Sequence, residues 1–220
     1  KNPKESAKLI IKLIKKNIKK KIKNPELIDI GCANGELIYS LNKQIKNLHS
    51  TGIDIMPNLL SKAKKFNPTS KFEKKDINNK KFRMKKKFDI ITMTGVVSIF
   101  DDFETSFNNM KKLMHKDSVL YIHSHFNPYP YNVFIKYTEK KFPNILQSGW
   151  NIFSLSNITE YCLKNRLDLK IYPFNIKKKL PKNKNDLIRT WTLNYSDKKY
   201  FTNGLNLLLS KYFLIIKKKK

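Results

Sequence analysis

Apolar residues along most of the chain alternate between short continuous runs and a helical spacing. The runs predict strands at residues 27–30, 50–55, 71–77, 88–94 and 119–124. The helical spacing between them predicts helices at residues 36–46, 57–66 and 102–115. Strands that alternate with helices build a mostly parallel sheet with helices on both faces, so the pattern predicts an α/β fold.

The first 24 residues have their own pattern. Their apolar positions recur at helical spacing with lysines between them, which predicts a basic amphipathic helix over residues 1–24. Such a helix can lie on an anionic membrane, but we expect it to pack on its own domain, residues 25–220. The apolar positions are Ala7, Ile10, Ile11, Ile14, Ile18 and Ile22.

The second half of the chain breaks the alternation. The segment HFNPYPYNVF is too rich in Pro and Tyr to continue a regular element, and it predicts a lid or crossover loop at about residues 126–150. A Ser-capped helix at 153–165 and a strand at 167–174 follow. The remainder predicts a β hairpin around Ser196-Asp197, within an extension at about 187–210, and a last strand ending near Ile216.

The loop after the first predicted strand contains small residues only. Gly31 and Gly35 bracket Cys32, Ala33 and Asn34 in the stretch LIDIGCANGELIYSL. A strand-to-helix turn of this kind lets a ligand approach the backbone. A dinucleotide loop, GxGxxG, places glycines where this chain has an alanine and a glutamate, which disfavours NAD. A Walker loop is excluded because no GK[ST] follows.

Acids follow the next two predicted strands. Asp54 ends the second strand, where its carboxylate can accept both hydroxyls of a ribose. Asp76 follows the third strand, where its carboxylate can accept a hydrogen bond from the exocyclic amine of an adenine. The small-residue loop, the acid expected to bind a ribose and the acid expected to bind an adenine lie at the ends of three successive strands. Together they predict a site for an adenine nucleoside.

The chain resembles the class I S-adenosylmethionine-dependent methyltransferases. IDIGCANG resembles the family's hydrophobic-D-x-G-x-G-x-G motif, and Asp54 and Asp76 match its acids after the second and third strands. The stretches FDIITMTGVVSIFDDFETSFNNMKKLM, SVLYIHSHF and FSLSNITEYC resemble later elements. The resemblance covers about residues 27–174, and the family's final strand is expected at residues 212–216. It implies a Rossmann-like, seven-stranded, mostly parallel sheet with a C-terminal antiparallel hairpin. Ala33 departs from the family's usual middle glycine.

The resemblance also implies residue roles. The small-residue loop would pack against the methionine part of S-adenosyl-L-methionine, and Asp29 would orient its amino group. Asp54 would bind the ribose, Met56 would cover an adenine face, and Asp76 with Ile77 would hold the adenine edge. The cofactor-binding residues implied are Asp29, Gly31, Cys32, Ala33, Asn34, Gly35, Asp54, Ile55, Met56, Asp76, Ile77 and Thr94, the last beside the path to the sulfonium.

Catalytic candidates follow the fourth and fifth strands. His123 and His125 alternate in YIHSHF and point to one side of the strand, where one of them can act as general base toward a hydroxyl acceptor. Asp101 is a candidate for acceptor contact, and Asp102 is predicted to cap the following helix. His115 is expected near a helix C-terminus and His49 at the surface. Tyr129, Tyr131 and Trp150 are candidate aromatic walls.

Charge and cysteine content change this picture only slightly. The net charge of +29 favours anionic partners. Only three basic residues are arginines, however, and abundant Lys, Asn and Ile fit an A/T-rich genome, so nucleic acid is not the favoured partner. Cys32 and Cys162 have neither disulfide nor metal-ligand spacing, so no metal is expected. With no signal peptide and no apolar run of about 20 residues, we expect a cytoplasmic protein.

The acceptor is the least determined feature. No [DN]PP[YF] motif follows the fourth strand, and no cysteine is placed for base-flipping chemistry. The C-terminal segment loosely resembles tails of bacterial methyltransferases of glycan or secondary metabolism. We therefore expect O-methylation of a small-molecule or sugar acceptor. The alternatives are an RNA methyltransferase, a catalytically silent cofactor-binding subunit and an NAD-binding domain. The sequence leaves the oligomeric state open.

Overall fold

The computed structural model describes residues 3–18, 22–196 and 198–219. Its strands are β1 (Glu26–Ile30), β2 (His49–Asp54), β3 (Lys71–Lys74), β4 (Phe88–Thr94), β5 (Met114–Asn127), β6 (Lys136–Glu139), β7 (Phe142–Ser148), β8 (Phe153–Ser154), β9 (Leu167–Pro173), β10 (Trp191–Tyr195), β11 (Lys198–Thr202) and β12 (Lys211–Lys218). Its α-helices are α1 (Glu5–Asn17), α2 (Glu36–Asn42), α3 (Pro57–Phe66), α4 (Glu104–Leu113) and α5 (Leu155–Lys164).

One sheet organises the molecule. Its strand order is β3-β2-β1-β4-β5-β12-β9, with the short β8 paired to β5. The first five strands are mutually parallel, and β12 runs antiparallel to both β5 and β9. The order reverses between β1 and β4, and ligands of such sheets bind at the carboxyl ends of the strands beside that reversal. The predicted Rossmann-like α/β class is confirmed.

Two apolar layers cover the sheet. On one face, α1, α2 and α3 contribute Ile10, Ile14, Ile38 and Leu60 to a buried cluster. On the other face, α4 and α5 contribute a second cluster that includes Phe107. Helical apolar spacing predicted this arrangement, because each helix buries one stripe against the sheet. No helix within the described residues is long and apolar enough to cross a bilayer.

Several predicted boundaries were wrong. Helix α1 ends at Asn17, whose side-chain amide donates to the Leu13 carbonyl at 2.8 Å, and Ile18 is extended. The predicted continuation through residues 19–21 lies outside the described residues. Helix α2 ends at residue 42 instead of 46, and β3 ends at residue 74 instead of 77.

Strand β5 differs most from its prediction. It spans 14 residues, from Met114 to Asn127, instead of residues 119–124. Its polar start, MHKDS, does not resemble a strand. Met114 pairs with Phe88 and Val119 with Ile90, so residues 115–118 lie within an irregularity of the β4–β5 ladder. At its other end β5 continues into the segment predicted to be irregular and stops before Pro128. His115 therefore lies in β5, two residues past the C-terminus of α4 at Leu113, and not within the helix.

The two regions outside the main sheet are hairpins. Strands β6 and β7 pair with each other in the region predicted to be a lid or loop. Strands β10 and β11 form the hairpin predicted near Ser196. Residue 197 lies outside the described part of the chain.

Candidate active site

The loop between β1 and α2 makes a sharp turn through left-handed backbone. Gly31 and Gly35 have φ values of +68° and +76°, and Ala33 has a φ of +48°. A Cβ built on Gly31 would overlap the side chain of Val96. Glycine is therefore required at position 31 by both conformation and space, while Ala33 carries backbone strain.

Four backbone N–H groups of this loop bond within the protein. Gly31 and Cys32 both donate to the Ile53 carbonyl, at 2.8 and 3.1 Å, and Gly35 donates to the Cys32 carbonyl at 2.8 Å. The fourth, on Ala33, donates to the Asp54 carboxylate. A phosphate-binding loop needs such groups free for its ligand. The loop thus suits a ligand that packs against small residues.

Asp54 lies where β2 ends, beside this loop. One of its carboxylate oxygens accepts the Ala33 N–H at 2.9 Å, and the other accepts the Met56 N–H at 2.9 Å. A carboxylate has about four acceptor positions, so two remain for the vicinal hydroxyls of a ribose. Next to it, Ile55 and Met56 are 50% and 46% exposed. An exposed apolar pair beside a hydroxyl-binding acid fits a nucleoside with a flat apolar face.

The loop after β3 carries Asp76 and Ile77. Asp76 is exposed and accepts the Asn78 N–H at 2.8 Å, whereas Ile77 is buried. Buried Asn109 of α4 donates to the carbonyls of Ile77 and Asn79 at 2.8 and 2.9 Å. Asn109 thereby holds the loop in place, a role that its sequence context did not indicate.

Asp29 lies next to the carboxyl end of β1 and is almost fully buried. Thr92 Oγ1, on the neighbouring strand, donates to Asp29 Oδ1 at 2.7 Å. Burial raises the pKa of Asp29 to about 7, and the nearby charge of Asp54 adds to this effect. Burial also raises the pKa of the Cys32 thiol, with the charges of Asp29 and Asp54 contributing. Cys32 is therefore a protonated packing residue.

A cavity of about 300 Å³ opens at the carboxyl ends of β4 and β5. It contains both histidines of the YIHSHF stretch. Thr94, at the end of β4, pairs with His123 in the sheet, and the Gly95 N–H donates to the His123 carbonyl at 2.7 Å. The cavity is lined by Gly95, Ser98, Ile99, His123, Ser124, His125, Tyr137, Ser148, Gly149, Trp150, Thr190 and Lys211.

Both histidines are held by aromatic neighbours. The His123 ring stacks on Phe213, with centroids 4.3 Å apart, and meets the edge of Phe174. The His125 ring lies 5.4 Å from that of Trp150. Buried Nε2 of His123 and Nδ1 of His125 have no hydrogen-bond partner among the described residues. Each ring therefore has one buried nitrogen that no described residue bonds.

Burial keeps both rings neutral. It lowers the pKa of His123 to about 3, and the charge of Lys211 lowers it further. The pKa of His125 is lowered well below its ordinary value by burial, then by Lys211 and by His123. Lys211 opposes His125 in the β5–β12 ladder, and burial lowers its own pKa to about 8. Sequence pattern gave no signal for Lys211, one of many lysines.

Asp101 lies apart from the histidine cavity. It is not among the described residues that line this cavity, and it lines a different one of about 350 Å³. Its carboxylate accepts from Lys136 Nζ at 2.7 Å, Ser148 Oγ at 2.7 Å and Asn151 Nδ2 at 2.9 Å. These bonds lower the pKa of Asp101 to about 2, and the bond from Lys136 makes the largest contribution. The carboxylate thus ties the β6–β7 hairpin to the body of the protein.

Trp150 is held in an unusual conformation at the cavity wall. Its φ is +61°, which is an outlier for a bulky residue. Buried Asn151 fixes the backbone beside it, since its side chain accepts from the Ile135 N–H at 2.7 Å and donates to the Phe100 carbonyl at 2.8 Å. Asn151 had no sequence signal, because its partners are far away along the chain.

The remaining candidates have simple surroundings. Asp102 accepts from the N–H groups of Glu104 and Thr105 at 2.8 and 3.1 Å, as expected for a residue that caps α4. His115 pairs with Asp89 at 3.0 Å, and exposed His49 lies 3.4 Å from Glu26. Tyr129 and Tyr131 are exposed and are not among the described residues that line the cavity of His123.

Comparison with known proteins identifies the class. A family model described as a methyltransferase domain matches residues 21–187, so the chain belongs to this family. The predicted methyltransferase family is therefore confirmed. A 99-residue segment is 30% identical to "Putative methyltransferase 235L" of Invertebrate iridescent virus 6. This segment covers 45% of the chain but only 37% of the viral protein.

Solved structures share the fold. The YcgJ protein of Bacillus subtilis superposes with a TM-score of 0.64 at 15% identity, over 98% of both chains. An S-adenosylmethionine-dependent methyltransferase of Clostridium acetobutylicum gives 0.64 at 13% identity, over 97% of this chain and 91% of its own. DhpI in complex with SAH gives 0.62 at 8% identity, over 97% and 85%. At these identities the similarity supports the architecture.

Proposed function

We propose that the protein transfers a methyl group from S-adenosylmethionine to a hydroxyl of a small molecule or a sugar or glycan precursor. The observation that carries this proposal is the pair of neutral histidines with free buried nitrogens in the cavity at the end of β5. A hydroxyl acceptor has to lose its proton during transfer, and a neutral imidazole is a suitable acceptor for that proton.

The cofactor would lie across the ends of β1, β2 and β3. Asp54 binds the ribose hydroxyls, Ile55 and Met56 cover an adenine face, and the loop around Cys32 packs against the methionine part. Asp29 orients the amino group. Further contacts come from Gly31, Ala33, Asn34, Gly35, Asp76, Ile77 and Thr94.

When bound, S-adenosylmethionine supplies a methyl group that its sulfonium sulfur already activates for in-line displacement. The protein has to place the acceptor oxygen and remove its proton. One of His123 and His125 takes the hydroxyl proton on its free nitrogen, while the other holds the oxygen by a hydrogen bond. Both rings are neutral, so each keeps a nitrogen lone pair, and their lowered pKa values make them weak bases in the cofactor-free protein.

The size and cover of the cavity favour a small acceptor. Its volume of about 300 Å³ lies at the lower end of ligand pockets. The segment after β5, with the β6–β7 hairpin, contributes Tyr137, Ser148 and Trp150 to the wall. Asp101 supports this wall through Ser148 and acts as a positioning residue.

An assay of methyl transfer from radiolabelled S-adenosylmethionine tests the proposal. Phenols, sugars and hydroxy acids are offered in parallel with tRNA and rRNA. We expect label on a small hydroxyl acceptor. His123→Asn or His125→Asn should lower kcat about 100-fold or more while S-adenosylmethionine affinity stays within about twofold.

His49→Asn is the matched control, because His49 is exposed and lies at the opposite end of the parallel strands. Label on RNA alone would reject a small-molecule acceptor in favour of an RNA methyltransferase. Unchanged kcat in both histidine variants would reject the proposed base. Cofactor binding without transfer to any acceptor class would favour a catalytically silent subunit.

A further inference from the structure

The cavity at the end of β5 has an unbalanced set of ionisable groups. Lys211 supplies an amine, and His123 and His125 supply imidazoles. No carboxylate is among the described residues that line the cavity. A cavity with a cation and no acid attracts anions, and the low dielectric of a partly enclosed site strengthens that attraction.

Lys211 has no counter-ion in the described structure. The described residues place no carboxylate within ion-pair distance of its ammonium, which lies 4.7 Å from the centre of the Phe201 ring. The acid connected to the wall is Asp101, and it is already paired with Lys136 and bonded to Ser148. A half-buried lysine without a partner is costly to keep charged, so an anionic ligand would stabilise it.

The histidines supply the second observation. His123 and His125 are 8% and 6% exposed, and each has a buried nitrogen without a hydrogen-bond partner. A neutral imidazole presents one donor and one acceptor, so each ring can serve either an oxyanion or a hydroxyl. The cavity thus offers a charge and two polar contacts to one small ligand.

We infer that the acceptor carries a small oxyanion, a carboxylate or a phosphate, which pairs with Lys211 while the acceptor hydroxyl lies beside His123 and His125. This inference rests on the proposed function, because it names the class of acceptor for the same cavity. S-adenosylmethionine carries a positive charge on its sulfur, so both this sulfonium and Lys211 would attract an acceptor with a negative charge.

Calorimetric titration of the protein saturated with S-adenosylhomocysteine tests this inference without turnover. Sodium phosphate and sodium acetate are the two probes, at about 0.15 M salt, where exposed lysines are largely screened. We expect one saturable site per chain. Lys211→Met should weaken binding about tenfold or more, and Lys211→Arg should retain it. Lys170→Met is the matched control, because Lys170 is exposed on β9.

The two probes separate the candidate anions, since the tighter one names the group that the acceptor carries. A second measurement uses the wild type alone. Phosphate or acetate should slow acylation of Lys211 by acetic anhydride relative to Lys170, as mapped by mass spectrometry. Absence of a saturable site in the wild type, equal binding by Lys211→Met, or equal acylation with and without anion would each overturn the inference.

The proposed function and the anionic acceptor can be rejected independently of each other. Anion binding at Lys211 without methyl transfer to any hydroxyl acceptor would reject O-methylation and leave the anion site in place. Transfer to neutral hydroxyl acceptors without anion binding would reject the anionic acceptor and leave O-methylation in place.

Discussion

Asp54 accepts the backbone N–H of Ala33 at 2.9 Å, so the acid at the end of β2 holds the loop that follows β1. The same carboxylate accepts the Met56 N–H through its other oxygen. The two neighbouring strand ends are therefore joined by one side chain, and the acid that would bind a ribose also shapes the loop that would pack against the methionine part.

Replacing this carboxylate should weaken cofactor binding. In Asp54→Asn the amide nitrogen cannot accept from a backbone N–H or act as an anionic acceptor for ribose hydroxyls. We expect the Kd for S-adenosylmethionine, measured by calorimetry, to rise about 10- to 100-fold, or about 1.4–2.8 kcal/mol. Asp168→Asn, at an exposed position of β9, should leave the Kd unchanged. Equal affinity in both variants would remove Asp54 from the cofactor site.

Replacing Ala33 with glycine should stabilise the folded protein. Its φ of +48° costs an L-residue about 1–2 kcal/mol, whereas glycine adopts it freely but loses more entropy on folding. We expect Ala33→Gly to raise the free energy of unfolding in urea by about 0.5–1 kcal/mol. Ala7→Gly, in helix α1, should lower it by about 0.5–1 kcal/mol. If both changes destabilise the protein equally, Ala33 is not strained.

Asp29 should make stability depend on pH. Its pKa is about 7 in the folded protein against 3.8 for a free side chain, so the folded state binds the proton more tightly. The stability that this proton contributes is complete below about pH 4 and is lost as pH rises through about 7. In the cofactor-free protein, the free energy of unfolding should fall by about 2–3 kcal/mol between pH 5 and pH 8 relative to Asp29→Asn.

The Asp29→Asn variant is the reference because its neutral amide does not titrate and has nearly the same shape. Urea unfolding of both proteins at pH 5, 6, 7 and 8 measures the difference. Parallel curves for the two proteins would mean that Asp29 is ionised in the folded state across this range.

The Asp101 carboxylate should hold the β6–β7 hairpin in place. In Asp101→Asn the ionic bond to Lys136 is lost and the bond to Ser148 is weakened. We expect amide hydrogen exchange in residues 136–148 to quicken about tenfold, while exchange in β1 and β4 stays unchanged. Asp186→Asn, which removes an exposed pair with Arg189, is the control. Unchanged exchange in the hairpin would show that other contacts anchor it.

The strand-end acids and the small-residue loop were predictable because their spacing follows directly from a parallel sheet. Asp54 comes at the end of the second strand and Asp76 after the third, and the carboxyl ends of parallel strands meet at one edge of the sheet. The β6–β7 hairpin was not predictable, since its turn at Lys140 and Lys141 contains none of the residues that mark tight turns. The start of β5 was missed because its polar residues 115–118 lie within an irregularity of the β4–β5 ladder and show no strand pattern.

The walls of the cavity at the end of β5 were the least predictable part of the candidate site. Asn151 reaches residues about 50 positions away, and local pattern carries no information on such contacts. Lys211 meets His125 only because β12 returns antiparallel beside β5. Among so many lysines, its environment distinguishes it and its sequence context does not.

A crystal structure of the protein with S-adenosylhomocysteine tests most directly whether the Asp54 site and the β5 histidines flank one reaction centre. We expect the ribose hydroxyls at the Asp54 carboxylate, the adenine against Ile55 and Met56, and the sulfur facing the cavity lined by His123 and His125. A nucleoside bound away from Asp54, or a sulfur turned away from that cavity, would contradict a methyl transfer centre at the end of β5.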